Sequence, residues 1–249
     1  MQNSTPYRTA LVTGASRGIG AAICRRLSAL GLEVHAVARS AESLDELRRD
    51  VPVIPHVADV TDVARMEQIF GEVEVDVLVN NAGVVSAVGP LHTLQAKDIE
   101  QMIAINLLAP MQLCRIALAG MVARKRGHIV NIGSTTGSFV FPGTAPYAAS
   151  KAGMTVANRV LRHDLVGTNV RVTEVSPGRV HTDIYRSAVK DDAARSAMYD
   201  EYRSLAPEDV AEAIAVALTM PEAVDLSFME ITPTDQAPGG YSYARRKDL

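Results

Sequence analysis

The stretch ALVTGASRGIG (residues 10–20) places a glycine-rich turn between a short apolar run and the start of a helix-like segment. Gly14 can make the tight turn, Gly18 lets a phosphate approach the backbone, and Gly20 permits the helix to pack closely against the strand. The start of that helix directs free N–H groups and a partial positive charge at the turn. A turn of this kind between a first strand and a helix predicts a dinucleotide-binding α/β unit.

The rest of the chain alternates short β-branched runs with longer amphipathic segments, the pattern of βαβ units. The predicted strands are 9–13, 33–38, 52–57, 75–80, 128–132, 170–175 and 226–231. The predicted helices are 17–30, 41–49, 62–73, 96–123, 146–166 and 207–218. Right-handed crossovers between these strands predict a doubly wound Rossmann fold, with helices on both faces of a parallel sheet of about seven strands.

Two segments depart from the alternation. The polar stretch 179–206 is a candidate substrate lid, with a solvated surface helix as the alternative. The Pro- and Gly-rich end 233–249 is a frayed tail or an arm that reaches a neighbouring subunit. Because no composition shift or repeat divides the chain, residues 1–249 are predicted to form one NAD(P)-binding domain.

Composition narrows the partners and the compartment. A net charge of -3 and a pI near 6.1 give no overall attraction to nucleic acid or to anionic membranes. The longest stretch without Asp, Glu, Lys or Arg (127–150) contains too many Gly and Pro residues for a bilayer-spanning helix. Cys24 and Cys114 lack the paired spacings of metal sites or disulfide frameworks, which indicates no metal and a reducing, cytoplasmic setting. The first residues also lack the apolar run of a signal peptide.

The end of the second strand bears on the choice of dinucleotide. An enzyme that prefers NAD usually has an acid there to bind the ribose 2′-hydroxyl, but Ala38 and Arg39 stand in its place. Arg17 and Arg39 could instead pair with a 2′-phosphate, for which a guanidinium fork is well suited. This predicts NADP(H) rather than NAD(H); the alternative is a pair of solvated arginines.

Later motifs add to the glycine-rich turn. NNAG (residues 80–83) follows the fourth strand, and Asp59 lies in HVADVTD. Ser134 ends NIGS, and Tyr147 and Lys151 open and close YAASK. In this order the motifs resemble the short-chain dehydrogenase/reductase family over nearly the whole chain. Asn106 in INLLAP, the turn of Pro177 and Gly178, and Thr182 also match family positions.

The resemblance implies a site residue by residue. The implied catalytic residues are Asn106, Ser134, Tyr147 and Lys151, with Asn106 holding a water that relays protons from Lys151. The implied dinucleotide-binding residues are Gly14, Ser16, Arg17, Gly18, Ile19, Gly20, Arg39, Asp59, Val60, Asn81, Ala82, Gly83, Tyr147, Lys151, Pro177, Gly178, Val180 and Thr182. Asp59 would contact adenine, although it could also simply cap the next helix.

The chemistry of these residue types agrees with the resemblance. Tyr147 and Lys151 are four residues apart, so they project from the same face of a helix. A nearby ammonium and a nicotinamide cation would favour the phenolate and lower the pKa of Tyr147 from about 10. The Ser134 hydroxyl could bind a carbonyl oxygen as hydride is transferred.

The substrate is less defined than the reaction. Segments 162–180 and 229–236 resemble the branch with NADP-dependent 3-hydroxy acid (serine-type) dehydrogenases and clavulanate-type carbonyl reductases. Pocket walls are expected from 84–94, 134–144 and 179–206. A carboxylate could bind Arg179 or Arg186, unless both are solvated lid residues.

Two alternative functions remain open, and the chain is expected to pair with copies of itself. A 3-oxoacyl-carrier-protein reductase could dock its acidic carrier on Arg124, Lys125 and Arg126, which otherwise form a solvated helix end. A dinucleotide-sensing binding protein without turnover would usually lack Tyr147 or Lys151. The resemblance further implies a homo-oligomer, a dimer or tetramer, that pairs through the long helices; the apolar stretches 111–121 and 155–165 agree with it.

Overall fold

Seven parallel strands form one sheet in the order β3-β2-β1-β4-β5-β6-β7. The computed structural model describes residues 5–186, 188, 189, 191 and 203–236. The strands are β1 Thr9–Thr13, β2 Glu33–Ala38, β3 Val53–Val57, β4 Val77–Asn80, β5 Gly127–Ile132, β6 Val170–Pro177 and β7 Phe228–Ile231. The strand order reverses between β1 and β4, which opens a crevice at the carboxyl ends of these strands. The predicted doubly wound Rossmann fold is confirmed.

Helices cover both faces of the sheet. They are α1 Gly18–Ala29, α2 Ala41–Asp50, α3 Val63–Glu72, α4 Ala96–Ile103, α5 Ala109–Arg124, α6 Ala145–Asp164 and α7 Pro207–Thr219. Helices α1, α2 and α7 pack on one face, while α3, α5 and α6 pack on the other. Consecutive residues of β1 point to opposite faces of the sheet. Val12 packs in the core beneath α1, α2 and α7, and Leu11 packs in the core beneath α3, α5 and α6.

Both cores are mainly aliphatic, and only 4% of the residues in the chain are aromatic. The largest fully buried side chains are Leu, Ile and Met, and none of them is aromatic among the described residues. A sheet covered on both faces needs such residues because its strands contact helices on each side.

The predicted long helix 96–123 is interrupted. It consists of α4, a π-helical segment Ala104–Leu108, and α5. Pro110 lies four residues after Asn106, so it has no N–H to donate to the Asn106 carbonyl, and its ring would crowd that carbonyl. A local widening relieves this conflict. The proline in INLLAP was the available signal.

By length and composition, Ala96–Arg124 could also cross a bilayer. In the fold this stretch contains the π-helical interruption, and Leu113, Ala117 and Met121 are buried in the core on the sheet. Packing against the sheet accounts for its apolar character.

Candidate active site

A cleft of about 780 Å³ lies at the carboxyl ends of the central strands, where the strand order reverses. Every residue predicted to bind the dinucleotide lines this cleft. Ser134, Tyr147 and Lys151 also line it, at the end formed by β5 and α6. Asn106 is not in the wall; it is buried behind Val84.

The glycine-rich turn forms a cradle that side chains would fill. Gly14 and Gly18 have φ values of 63° and 51°, a region that L side chains rarely adopt. A Cβ at Gly20 would lie 2.1 Å from the Gly14 carbonyl oxygen, so only glycine permits this approach of α1. The open backbone at the start of α1 fits the phosphates of a dinucleotide.

The turn is bonded to the NNAG segment. The Asn81 Nδ2 donates to the carbonyl oxygens of Thr13 at 2.9 Å and Gly14 at 3.1 Å. The Thr13 hydroxyl accepts from the backbone N–H groups of Asn81 and Ala82, both at 3.1 Å. The side chain of Asn81 therefore holds two walls of the cleft together.

At the other end of the cleft, Arg17 and Arg39 are exposed beside Asp59. The Asp59 carboxylate accepts from the Thr61 backbone N–H at 2.9 Å and from the Thr61 hydroxyl at 2.7 Å. Burial works against ionisation of Asp59, but the bonds from Thr61 and the charge of Arg39 together lower its pKa. Asp62 rather than Asp59 caps α3, since the Asp62 carboxylate accepts from the Arg65 backbone N–H at 3.0 Å.

Lys151 is buried in the opposite end of the cleft. Its Nζ donates to the Ile132 carbonyl oxygen at 2.7 Å and lies 5.9 Å from the centre of the Tyr147 ring. Burial lowers the pKa of Lys151 to about 8, and the charge of Glu174 opposes that shift.

Tyr147 is buried beside Ser134. Burial raises its pKa well above the ordinary value, the phenol of Tyr185 adds to the rise, and a hydrogen bond with Ser134 opposes it. The Lys151 ammonium bonds to the Ile132 carbonyl oxygen and the phenol is desolvated. That this ammonium and a nicotinamide cation together favour the phenolate stays a prediction. The Ser134 hydroxyl accepts from the Thr136 backbone N–H at 3.2 Å, which orients it at the end of β5.

Asn106 fixes the backbone of Val84. Its Oδ1 accepts from the Val84 N–H at 2.8 Å, and its Nδ2 donates to the Val84 carbonyl oxygen at 2.9 Å. A longer bond of 3.4 Å reaches the Ser150 hydroxyl. The side-chain amide thus supports a cleft wall, and the water-holding role suggested for Asn106 stays a prediction.

Described residues of all three expected wall segments contribute to the cleft, including residues 179–185 of the third. Segment 84–94 contributes Val84, and segment 134–144 contributes Phe141 and Thr144 together with residues 134–136. Arg179 lines the cleft, whereas Arg186 is exposed outside it. Within the predicted lid, 187, 190 and 192–202 lie outside the described residues, as do 237–249 of the predicted tail.

Gln236 is a cleft residue that sequence reasoning missed. Its Oε1 accepts from the Arg179 backbone N–H at 3.0 Å, and the side chain packs against Gly178. It therefore anchors the Pro177–Gly178 turn from a distant part of the chain. Segment 229–236 (MEITPTDQ) indicated the branch of the family, but nothing in it predicted this contact.

The basic run that ends α5 lies at the amino ends of the strands, away from the cleft. Arg124 pairs with Glu74 at 3.4 Å. Arg126 contacts the buried Asp76 at 2.8 Å and Glu74 at 3.8 Å. Acids of the same chain thus engage both arginines.

With this geometry established, comparisons identify the family. The profile of the short chain dehydrogenase family matches residues 8–193. The chain belongs to the short-chain dehydrogenase family, and the resemblance seen in its motifs is confirmed.

Particular relatives cover nearly the whole chain. The uncharacterized short-chain type dehydrogenase/reductase y4eK of Sinorhizobium fredii is 42% identical over 94% of each chain. The NADP-dependent 3-hydroxy acid dehydrogenase YdfG of Escherichia coli is 37% identical over 95% of this chain and 99% of YdfG. The closed form of a serine dehydrogenase complexed with NADP+ superposes with a TM-score of 0.89 at 36% identity, covering 96% of this chain and all of that one.

Replacing Gly20 by Ala tests the close approach of α1. We expect Gly20→Ala to lower the free energy of unfolding by about 1–3 kcal/mol, because the new methyl group would overlap the Gly14 carbonyl. Gly71→Ala is the matched control: nothing lies within 4 Å of its Cβ, so helix propensity should raise stability by up to about 1 kcal/mol. Urea denaturation measures the free energy of unfolding of both variants. Equal values for Gly20→Ala and Gly71→Ala would contradict the packing argument.

Proposed function

We propose that this protein is an NADP(H)-dependent oxidoreductase that interconverts a small carbonyl compound and its secondary alcohol. The observation that carries the proposal is the convergence of Ser134, Tyr147 and Lys151 on the cleft that begins at the glycine-rich turn. Family membership supports an enzyme of this class. The presence of both Tyr147 and Lys151 supports it too, since a non-catalytic sensor would usually lack one of them. We also propose that residues 1–249 form one domain around the single sheet.

The cleft fits a dinucleotide along its whole length. Residues 14–20 would hold the pyrophosphate, and Asp59 and Val60 would contact the adenine. Thr182 would bind the carboxamide group of the nicotinamide ring. When bound, the dinucleotide supplies or accepts the hydride. The Asn81 bonds keep the cradle open for it.

Preference for NADP(H) rests on charge at the mouth of the cleft. Arg17 and Arg39 line that mouth, β2 ends without an acid, and two guanidinium groups can bind a 2′-phosphate. YdfG and the serine dehydrogenase carry NADP in their names, which supports the same preference here.

Tyr147 can act as the proton donor in reduction. A phenol is protonated at neutral pH even at its ordinary pKa of about 10, so Tyr147 can give its proton to the carbonyl oxygen. The Ser134 hydroxyl would bind that oxygen and stabilise the charge that develops on it. Oxidation needs the phenolate, which the positive charges of Lys151 and of a nicotinamide cation favour against burial.

A 3-hydroxy acid or its 3-oxo form is our proposed substrate. Arg179 supplies a cation in the wall, and the name of YdfG points to the same class. Carrier-bound substrates are less well supported, because the arginines of the basic run are engaged by Glu74 and Asp76 at the opposite edge of the sheet.

We also propose that the protein acts in the cytoplasm as a homo-oligomer. Leu108 and Met111 expose 54% and 48% of their surface on the π-helical segment and α5. Val156 and Val160 expose 57% and 52% of their surface on α6, which packs beside the π-helical segment. A second copy would cover this apolar surface, as helix pairing in a dimer or tetramer requires. The two free, buried cysteines suit a reducing compartment.

Tyr147→Phe tests the catalytic assignment. We expect kcat for NADPH oxidation, measured over a panel of ketones, aldehydes and 3-oxo acids, to fall about 10²- to 10⁴-fold, because the proton donor is removed. NADPH affinity, measured by fluorescence titration, should change little. Tyr7→Phe, which removes a buried phenol at the amino ends of the strands, should keep turnover. Persistent turnover in Tyr147→Phe would refute the assignment.

Arg39→Gln tests the choice of cofactor. The KM for NADPH should rise about tenfold or more, since a charge-assisted bond to the 2′-phosphate is lost, while the KM for NADH should stay nearly constant. Arg48→Gln, which changes an exposed arginine of α2 outside the cleft, serves as the control. Equal catalytic efficiency of the wild-type enzyme with NADH and NADPH would contradict the proposal.

Val156→Glu tests the proposed assembly. Static light scattering at micromolar concentration should show a multimer for the wild type and a smaller species for the variant, since a charge would be buried in the contact. Ile54→Glu places the same charge on the edge strand β3, where the side chain is 40% exposed, and should keep the wild-type mass. A monomeric wild type would overturn this proposal.

A further inference from the structure

A carboxylate is buried in β6 without an ion-pair partner among the described residues. Glu174 is 1% exposed. One carboxylate oxygen accepts from the Thr155 hydroxyl at 2.8 Å, and the other accepts from the Asn158 Nδ2 at 3.0 Å. Both donors are neutral groups of α6. Burying a charge with only neutral partners is costly, so this arrangement calls for a reason beyond packing.

The carboxylate lies next to the strand end that receives the Lys151 ammonium. Gly133 follows Ile132, whose carbonyl oxygen accepts that ammonium, and a Cβ at Gly133 would overlap Glu174 Oε1. The Thr155 hydroxyl lies 3.2 Å from the Lys151 carbonyl oxygen as well as near Glu174. Lys151 and Glu174 are thus linked both through α6 and through the end of β5.

A buried amide chain fixes the orientation of the donors. Asn80 Nδ2 donates to Asn131 Oδ1 at 2.8 Å, and Asn131 Nδ2 donates to Asn158 Oδ1. Because Asn158 Oδ1 is already an acceptor, its Nδ2 is the group that faces Glu174. Asn80 of NNAG and Asn131 of NIGS, which are not among the predicted dinucleotide-binding residues, thereby support the carboxylate.

We propose that Glu174 is a positioning residue for Lys151. The negative charge of the Glu174 carboxylate, behind the end of β5, keeps the buried Lys151 ammonium protonated and in place. This deepens the proposed function, on which it rests. Thr155 and Asn158 hold the carboxylate at its position, and Gly133 leaves the space that it occupies.

The direction of the effect follows from charge. The Tyr147 ring of α6 lies 5.9 Å from the Lys151 Nζ, and the charge of Glu174 in β6 acts on Lys151. Strand β5, the π-helical segment and the NNAG turn present no charged side chain among the described residues. Burial lowers the pKa of Lys151 to about 8, and Glu174 acts against that change. Neutralising Glu174 should therefore let Lys151 lose its proton at lower pH.

Competitive acetylation tests this without any turnover. Trace acetic anhydride reacts only with unprotonated amines, so peptide mass spectrometry across about pH 6 to 10 gives the titration midpoint of Lys151. In Glu174→Gln we expect that midpoint to move about one pH unit lower. The exposed Lys97 in the same sample should titrate unchanged.

Two further variants separate charge from packing. Thr155→Val removes a hydrogen bond but keeps the carboxylate, so the Lys151 midpoint should stay near that of the wild type. Glu174→Asp keeps the charge and should give a midpoint between those of the wild type and Glu174→Gln; it also serves if Glu174→Gln does not fold. An unchanged midpoint in Glu174→Gln, or an equal fall in Thr155→Val, would overturn the proposal.

Activity gives the linked readout. The alkaline limb of kcat in Glu174→Gln should move lower by the same interval, with little change in the KM of the carbonyl substrate. A wild type without NADPH oxidation would refute the proposed function, while the acetylation result would still decide whether Glu174 sets the titration of Lys151.

Discussion

The close approach of α1 to the glycine-rich turn is the contact on which the site depends. Since a Cβ at Gly20 would lie 2.1 Å from the Gly14 carbonyl oxygen, any other residue there would push the helix away. Asn81 bonds to the same carbonyl and joins the turn to the segment after β4. The crevice between β1 and β4 is therefore built by backbone-to-backbone contact, which leaves its N–H groups available to a phosphate.

Burial at the other end of the cleft decides the proton chemistry. Desolvation acts in opposite directions on the two titrating groups: it raises the pKa of Tyr147 and lowers that of Lys151. Both groups are thus driven toward their neutral forms, and charges placed around them must oppose this. Glu174 supplies one such charge from the core, held by neutral donors of α6.

Much of the fold could be predicted because its signals are local. Strands and helices follow from apolar periodicity, and the predicted strands differ from the observed ones by at most two residues at either end. The interruption in the predicted helix 96–123 was missed, although Pro110 in INLLAP marks it. The bond between Gln236 and the Arg179 backbone could not be predicted, since these residues are 57 apart in sequence and share no pattern.

The sequence by itself determined the family, the doubly wound sheet and the motifs that meet at the cleft, because these depend on residues whose spacing is set by strands and helices. Only the tertiary structure decided how each side chain is used. It placed the Asn106 amide on Val84, paired Arg124 and Arg126 of the basic run with Glu74 and Asp76, and buried the Tyr147 phenol, which raises its pKa. Hydrogen-bond partners and desolvation depend on residues distant in sequence, and folding alone brings them together.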